Sequence, residues 1–206
     1  MKAELLSLTP LKELKSAIPE DIPEKELLPH LTYVYAIESI SRACSHQLVR
    51  HRTASYSQQS QRYIPVKRLR ERVVVPPSVS EKALEEYLSL IEGASDAYEV
   101  LVDRGVPRED ARFVLPNATE TSLVFTIDGR SLLHFFGIRC CSRAQWEIRA
   151  LADRMLAEVR REEPALYNRA GPYCYQLGYC PEGRFTCGKM DEVVERYGSH
   201  GQELVE

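Results

Sequence analysis

The chain has 206 residues, of which 44% are hydrophobic and 28% are charged, and its formal net charge is −3. These totals fit one globular domain and argue against nucleic acid as the partner, because a polyanion-binding protein usually carries a basic excess. No apolar run approaches the ~20 residues that cross a bilayer, and the N-terminus lacks an uninterrupted apolar signal-peptide core. We therefore expect a cytoplasmic protein with no membrane partner.

The first part of the chain predicts short elements around one strong strand. Four prolines interrupt residues 1–30, a Pro-rich lead that leaves room only for short helical pieces such as one from Leu11 to Ala17. The β-branched and aromatic run from Leu31 to Ile37 predicts a strand. Residues 38–49 continue at near-helical spacing, and residues 53–63 are polar and turn-like.

The middle of the chain predicts a long helix. A strand interrupted by charges is predicted from Tyr63 to Val75. Ser78 or Ser80 can cap a helix from about Glu81 to Arg104. A short helix is predicted from Pro107 to about Leu115. The buried stripe of the long helix is predicted to be Leu84, Tyr87, Leu88, Ile91 and Ala94.

The last part predicts one more strand and two more substantial helices. Residues 121–127 read as a strand, residues 128–129 as a turn and residues 130–139 as a buried helix. A capping-box pattern between Ser142 and Gln145 opens a long helix to about residue 163. The buried side of that helix is predicted to contain Trp146, Ile148, Leu151, Met155 and Val159.

Strands separated by helices without regular alternation predict an α+β, or mixed α/β, fold. We expect a single domain over residues 31–206 after the lead. A weak helix near Met190–Tyr197 is expected in an otherwise loop-rich tail.

The most informative stretch is residues 46–63, which read HQLVRHRTASYSQQSQRY. Its arginines stand among hydroxyls and amides, and no acidic residue lies between Glu38 and Glu71 to neutralise them. The planar guanidinium group suits phosphate oxygens. A solvated basic loop is the alternative, but lysine would serve that purpose equally well and the stretch contains none. The residues therefore indicate a small phosphate-bearing ligand.

This stretch resembles the signature of the flavin-dependent thymidylate synthases, in which Arg-His-Arg is followed by seven residues, then by Ser, and then by Arg-Tyr. Residues 50–63, RHRTASYSQQSQRY, match it. The resemblance covers roughly Leu31 to Gly188 and includes Arg112 in ARFVLP and Arg139 in FFGIRCCSRAQWEIR. It implies a central twisted, largely antiparallel sheet flanked by helices, and a homotetramer whose sites form between subunits.

The resemblance also implies an activity and roles for single residues. The activity is the reductive methylation of dUMP to dTMP, with FAD as cofactor and with NADPH and methylenetetrahydrofolate as co-substrates. Arg139 is implied to be catalytic, since it would lie against the pyrimidine ring and favour its ionisation. The residues implied to bind dUMP are Gln47, Arg50, Ser60, Arg62, Arg112 and Arg139. Those implied to border FAD are Arg50, His51, Arg52, Gln58, Arg130 and His134.

Each of these residues also has a structural interpretation. Arg112 could be a surface helix cation, and Arg139 could pair with a carboxylate such as that of Glu147; together, at family spacing, they favour a site. His46 is interpreted as a packed or hydrogen-bonded helix residue rather than a base. Ser60 has no base beside it in the sequence, so we assign it to substrate positioning rather than to nucleophilic attack.

The chain departs from the family pattern on the flavin side. Residues 1–30 stand where members usually carry several dozen more residues, including a histidine that touches the flavin. Asp-Gly-Arg at 128–130 replaces the frequent Asn-Ala-Arg, His134 replaces Asn, and Gln58 replaces Glu. The Asp128 carboxylate would repel a flavin diphosphate if it faced it. We expect a shortened N-terminus and a modified flavin pocket.

Three of the six cysteines, Cys174, Cys180 and Cys187, fall in the tail sequence GPYCYQLGYCPEGRFTCG. In a reducing compartment they remain thiols. Their spacing could suit zinc, but no CxxC pair is present and a fourth ligand is not evident. We expect packed or idle thiols and no metal site.

Three alternatives to a dUMP-methylating enzyme remain open from the sequence. A sibling enzyme could methylate UMP, because nothing in the sequence excludes a ribose hydroxyl. A non-catalytic paralogue could keep the nucleotide contacts without turnover. RNA binding by the basic stretch would show strong salt dependence, and the net negative charge makes it the weakest of the three.

Overall fold

The computed structural model describes residues 1–19, 21–63 and 68–198. Its centre is a four-stranded antiparallel sheet in the order β1 (Lys2–Leu8), β2 (Thr32–Ser41), β4 (Glu120–Asp128) and β3 (Ser55–Gln58). This sheet, together with the helices around it, confirms the expected α+β fold with a central antiparallel sheet.

Eleven α-helices lie in the described residues, and none of them combines the length and the apolarity that a membrane span needs. Short 3₁₀ turns occupy Leu28–His30, Leu69–Glu71, Arg112–Val114 and Gly183–Phe185. The α-helices are α1 (Leu11–Ser16), α2 (Glu24–Leu27), α3 (Arg42–Leu48), α4 (Pro77–Lys82), α5 (Leu84–Asp103), α6 (Arg108–Ala111), α7 (Gly129–Arg139), α8 (Trp146–Glu162), α9 (Pro164–Tyr167), α10 (Tyr173–Leu177) and α11 (Met190–Gly198).

The core lies between one face of the sheet and helices α7 and α8. Tyr33, Tyr35 and Ile37 alternate along β2 with no exposed surface, as expected for a strand with one buried face. Phe125 on β4 and Phe135 on α7 belong to the same core. Their ring centroids lie 5.9 Å apart, which joins the sheet to the helix layer. This layer fixes the position of α7, whose last residue is Arg139.

Two strands were not predicted. Residues 2–8 have little β propensity, yet they form β1 because β2 offers them an antiparallel edge. Residues 55–58, interpreted as turn-like, form β3 and pair with β4. The lead therefore contains a strand as well as the predicted helix at Leu11, and its treatment as a separate segment stays a proposal.

Several boundaries also differ from the prediction. Strand β2 runs on to Ser41, so α3 begins later than residue 38. The strand predicted over 63–75 is reduced to a bridge between Val73 and Thr119 in its described part, and residues 64–67 lie outside the described residues. The helix predicted from residue 81 is two helices that meet at Ala83, and neither carries a side-chain cap.

Side-chain placement corrects three further details. Leu84 is exposed rather than part of a buried stripe, and Trp146 is only half-buried. Gln145, not Ser142, caps α8: its side-chain oxygen accepts from the backbone N–H groups of residues 147 and 148. The expected turn at residues 128–129 is the start of α7, capped by Asp128.

Candidate functional site

The C-terminal ends of α3 and α7 meet at Arg139. Its Nε donates to Nε2 of His51 at 2.9 Å, and its Nη2 donates to the backbone carbonyl of Gln47 at 3.1 Å. The carbonyls of a last helical turn have no partner within the helix. Arg139 therefore satisfies the end of α3 and holds a cation beside the Arg-His-Arg motif.

His51 lies inside the site, with 8% of its surface exposed. Its ring packs edge-on against Phe135 at 5.0 Å and lies 6.3 Å from the ring of His134. Burial, and next the charge of Arg139, lower the pKa of His51 to about 4. The imidazole is thus neutral at pH 7, and because its Nε2 accepts from Arg139, the proton resides on Nδ1.

Three more arginines surround this centre on the outside. Arg50 and Arg52 flank His51, Arg130 lies in the first turn of α7, and all three side chains are exposed. The Asp128 carboxylate accepts from the backbone N–H of Ser131 at 2.9 Å, so it serves as a helix cap. The expected repulsion between the Asp128 carboxylate and a flavin diphosphate is therefore reduced, because this carboxylate complements the positive N-terminal end of α7.

His134 and Gln58, two residues that differ from the family pattern, have partners within the chain. A ring nitrogen of His134 hydrogen-bonds the hydroxyl of Tyr173 on α10. The amide of Gln58 donates to Thr121 Oγ1 at 3.2 Å across strands β3 and β4. His134 therefore lies near His51, whereas Gln58 is fixed on the sheet.

A second cluster forms around Glu109. Both Nη2 and Nε of Arg62 reach its Oε2, at 2.7 and 3.0 Å, and Arg112 donates to its backbone carbonyl at 3.1 Å. The Ser60 hydroxyl accepts from the backbone N–H of Arg62 at 3.2 Å. The structure thus brings together three residues assigned from the sequence to the nucleotide, Ser60, Arg62 and Arg112.

A cavity of about 490 Å³ opens beside this cluster, lined in part by Arg42, His46, Gln61 and Arg112. Burial, and next the neighbouring charge of Arg112, lower the pKa of Arg42. Two guanidinium groups that face one cavity make it a favourable place for an anion.

Arg42 and His46 are functional candidates that sequence reasoning missed. They lie four residues apart on α3 and so share a helix face. His46 is exposed towards the cavity, which corrects its interpretation as a packed residue. The four-residue spacing of Arg42, His46 and Arg50 was the sequence pattern that could have indicated that these side chains share one face of a helix.

A buried carboxylate on α8 holds the N-terminal end of α3. Glu147 on α8 accepts from the backbone N–H of Ser41 at 2.6 Å and from its hydroxyl at 2.5 Å. The same hydroxyl accepts from the backbone N–H of Cys44, which makes Ser41 the N-cap of α3. Glu147 therefore positions the helix that carries Gln47, and it is not the partner of Arg139.

Comparison with known proteins extends these observations. The family described as Thymidylate synthase complementing protein matches residues 23–165. A flavin-dependent thymidylate synthase from Geobacter sulfurreducens is 56% identical over 171 residues, which cover 82% of this chain and 73% of that protein. One from Clostridium tetani is 40% identical over 188 residues, with 82% and 74% covered.

Solved structures are similar in fold. The flavin-dependent thymidylate synthase from Helicobacter pylori, complexed with FAD and dUMP, superposes with a TM-score of 0.67 at 23% identity, covering 83% of this chain and 100% of that chain. A UMP/dUMP methylase from Streptomyces cacaoi, bound with 5-Br dUMP, has a TM-score of 0.65 at 21% identity, with 81% and 92% covered. At these identities the likeness establishes the fold alone.

Proposed function

This chain belongs to the family of flavin-dependent thymidylate synthases, and we propose that it converts dUMP to dTMP with FAD as cofactor and with methylenetetrahydrofolate and NADPH as co-substrates. The observation that carries the catalytic assignment is the environment of Arg139. Its two hydrogen bonds within the described residues go to neutral acceptors, a histidine ring and a carbonyl. Its positive charge is therefore available to an anionic ring.

The Arg139 guanidinium would stabilise the negative charge that develops on the pyrimidine when its ring nitrogen ionises. A half-buried cation is effective for this purpose, because surrounding protein screens it less than water does. Neutral His51 holds the guanidinium plane from the Nε side, so that the group is oriented before the substrate arrives.

The remaining nucleotide contacts would come from the cluster around Glu109. Arg112 offers its guanidinium group for the phosphate, with Ser60 nearby, and Arg62 would exchange its ion pair with Glu109 for the phosphate when the nucleotide binds. We assign Gln47, in the last turn of α3, and Arg50, two residues after that helix ends, to the nucleotide as well. Arg42 adds positive potential at the adjoining cavity, which His46 also lines.

The donor set fits a flavin dinucleotide. Arg50, Arg52 and Arg130 are exposed cations suited to a diphosphate, and the Asp128 carboxylate is committed to the N-terminus of α7. His51, Gln58 and His134 would complete this side. When bound, reduced FAD supplies the hydride and relays the methylene group of the folate.

We propose a homotetramer with sites between subunits. Large apolar side chains stand exposed on the single chain, including Leu90 on α5, 75% exposed, and Phe113, 82% exposed, next to Arg112. Exposed apolar surface beside a polar site is typical of an interface. We also propose a cytoplasmic location, because the nucleotide, the folate and NADPH are metabolites of that compartment.

The test is an assay under low oxygen with FAD, NADPH, methylenetetrahydrofolate and either dUMP or UMP, in which the methylated nucleotide is quantified by mass. Product from dUMP supports the proposal. Product from UMP alone would assign the chain to the sibling activity. Binding of dUMP without any product would identify a non-catalytic paralogue.

A further inference from the structure

The C-terminal helix α11 holds the end of α7 from a second side. The hydroxyl of Tyr197 on α11 lies 3.1 Å from the backbone carbonyl oxygen of Cys140 and 2.6 Å from Oδ1 of Asp153 on α8. Cys140 is the C-cap of α7 and directly follows Arg139. A side chain from outside residues 23–165, the part of the chain that the family matches, therefore contacts the residue next to the proposed catalytic arginine.

The Tyr197 hydroxyl acts as a hydrogen-bond donor in this position. Tyr197 is almost fully buried, and burial raises the pKa of its hydroxyl, which therefore keeps its hydrogen across the ordinary pH range. That single hydrogen is shared between a carboxylate oxygen and a carbonyl oxygen at the end of a helix. The last carbonyls of a helix have no partner within the helix, so Tyr197 supplies the donor that α7 lacks at Cys140.

Asp153 anchors this hydroxyl. The Asp153 side chain is buried, and its Oδ2 accepts from Nη2 of Arg196 at 2.8 Å. Burial raises the pKa of Asp153, whereas the hydrogen bond from Tyr197 and next the charge of Arg196 oppose that rise. Two consecutive side chains of α11 thus meet one buried carboxylate on α8, and this contact places the hydroxyl against the end of α7.

The Tyr197 ring is positioned by packing, independently of its hydroxyl. Its centroid lies 6.1 Å from that of Tyr175 on α10. A Cβ added at Gly171 would lie 3.1 Å from Cδ1 of the same ring. The substitution Tyr197→Phe would therefore keep these ring contacts and remove only the hydroxyl.

The contacts of Tyr197 and Arg139 connect three helices in series. Arg139 donates to the Gln47 carbonyl in the last turn of α3, and Tyr197 donates to the Cys140 carbonyl at the end of α7. Helix α11 is thus tied to α7, and α7 to α3. Movement of the end of α7 would displace the Arg139 guanidinium group from both the His51 ring and the Gln47 carbonyl.

We propose that Tyr197 is a positioning residue for Arg139: its hydroxyl fixes the end of α7, so that the guanidinium group stays bonded to His51 and oriented for the pyrimidine ring. The inference rests on the proposed function for the catalytic role of Arg139. The positioning itself does not depend on turnover, because the bond between Arg139 and His51 is present in the chain without substrate.

The protonation of the His51 ring reports the position of Arg139. Because Nε2 of His51 accepts from Arg139, the neutral ring carries its proton on Nδ1. In protein labelled with ¹⁵N in its five histidines, the couplings between ring nitrogens and ring hydrogens at pH 7 identify the protonated nitrogen. The His51→Gln variant assigns the signal. Tyr197→Phe should raise the ratio of the Nε2–H form to the Nδ1–H form of His51 by ~10-fold, as expected for one weakened hydrogen bond.

Turnover supplies a second measurement. In the assay with dUMP, the kcat of Tyr197→Phe should fall by ~10-fold, because catalysis is sensitive to small displacements of an oriented group. Absence of product from the natural chain would refute the proposed function, whereas the His51 signal would still test the role of Tyr197.

Two control variants separate positioning from stability. Tyr175→Phe removes a hydroxyl from the same contact between α10 and α11 and should leave the His51 proton and kcat unchanged. Leu11→Ala removes a buried side chain far from Arg139, since the Leu11 N–H donates to Glu163, just past the C-terminal end of α8, a helix ~25 Å long.

Leu11→Ala should lower the melting temperature and leave the His51 proton on Nδ1. The proposal would be overturned by a Tyr197→Phe variant that keeps the Nδ1–H form at the level of the natural chain. An equal shift of the proton in Leu11→Ala or in Tyr175→Phe would overturn it as well, because the shift would then not depend on the Tyr197 hydroxyl.

Discussion

Arg139 and His51 lie 88 residues apart in sequence and are joined by a 2.9 Å hydrogen bond from Nε to Nε2. The bond requires a neutral imidazole, because a protonated ring has no acceptor. Burial and the adjacent guanidinium group favour that state together. The charge of Arg139 and the neutrality of His51 are thus parts of one arrangement.

Arg139→Ala should abolish most turnover and leave the fold intact. Loss of one preorganised donor to a developing anion costs ~10²–10³ in kcat. Arg139→Lys keeps the charge, but a single Nζ lacks the planar geometry that meets both His51 and the Gln47 carbonyl, so we expect an intermediate rate. Product formation measures the turnover of each variant, and thermal unfolding measures whether its fold is intact. Arg161→Ala, at an exposed surface pair, is the control, and normal activity of Arg139→Ala would refute the catalytic assignment.

His51 should make the protein sensitive to acid. Its pKa falls from 6.5 to about 4 on folding, so between these values the unfolded chain binds more protons and acidification lowers the free energy of unfolding. His51→Gln should remove about 2–3 kcal/mol of the stability loss between pH 7 and pH 4. Urea unfolding at several pH values measures how the free energy of unfolding depends on pH. An unchanged pH dependence in His51→Gln would mean that His51 does not titrate between pH 4 and 6.5.

Glu147→Gln should destabilise the chain by about 1–3 kcal/mol, because the two oxygens of Glu147 each accept one bond from Ser41 and glutamine replaces one of them with an NH₂ group that cannot accept. Ser41→Ala should cost about 1 kcal/mol as a lost N-cap. The two changes share one hydrogen bond, so the double variant should cost less than their sum. Denaturant unfolding checks this, and Glu162→Gln, on the surface, should change stability by less than about 0.5 kcal/mol. Strict additivity would count against the shared contact.

Gly137→Ala should destabilise the chain by about 1–3 kcal/mol even though alanine favours helices, because the new methyl group meets the Tyr173 ring at 2.7 Å. It should also disturb the hydrogen bond between Tyr173 and His134. Gly93→Ala in α5 meets no atom within 4 Å and should gain up to about 1 kcal/mol. Thermal unfolding compares the stabilities of Gly137→Ala and Gly93→Ala. An equal change in stability for the two variants would show that Tyr173 can move away from α7 at little cost.

The sequence alone predicted most of the strong elements. The β-branched and aromatic runs became β2 and β4, and the apolar stretch at 130–139 became α7. Such runs can be assigned locally, because β-branched and aromatic enrichment favours a strand whereas a longer apolar run favours a helix. The Arg-His-Arg signature likewise identified the family directly, since its spacing is carried within one short segment.

Other features depended on distant partners. Residues 2–8 have no strand pattern of their own and became β1 because β2 had a free edge to pair. Asp128 could be interpreted as a charge facing a ligand until the start of α7 showed that it caps a helix. His46, interpreted as packed or hydrogen-bonded, proved exposed and lines the same cavity as Arg42 and Arg112.

The sequence by itself determined the family, the two main strands and the arginine-rich motif, because these depend on neighbours in the chain. The tertiary structure alone decided that Arg139 would hold His51, that Glu147 would support α3 rather than pair with Arg139, and that Tyr197 would contact the end of α7. The physical reason is that burial, hydrogen-bond partners and charge neighbours depend on distances in space, which sequence separation does not encode.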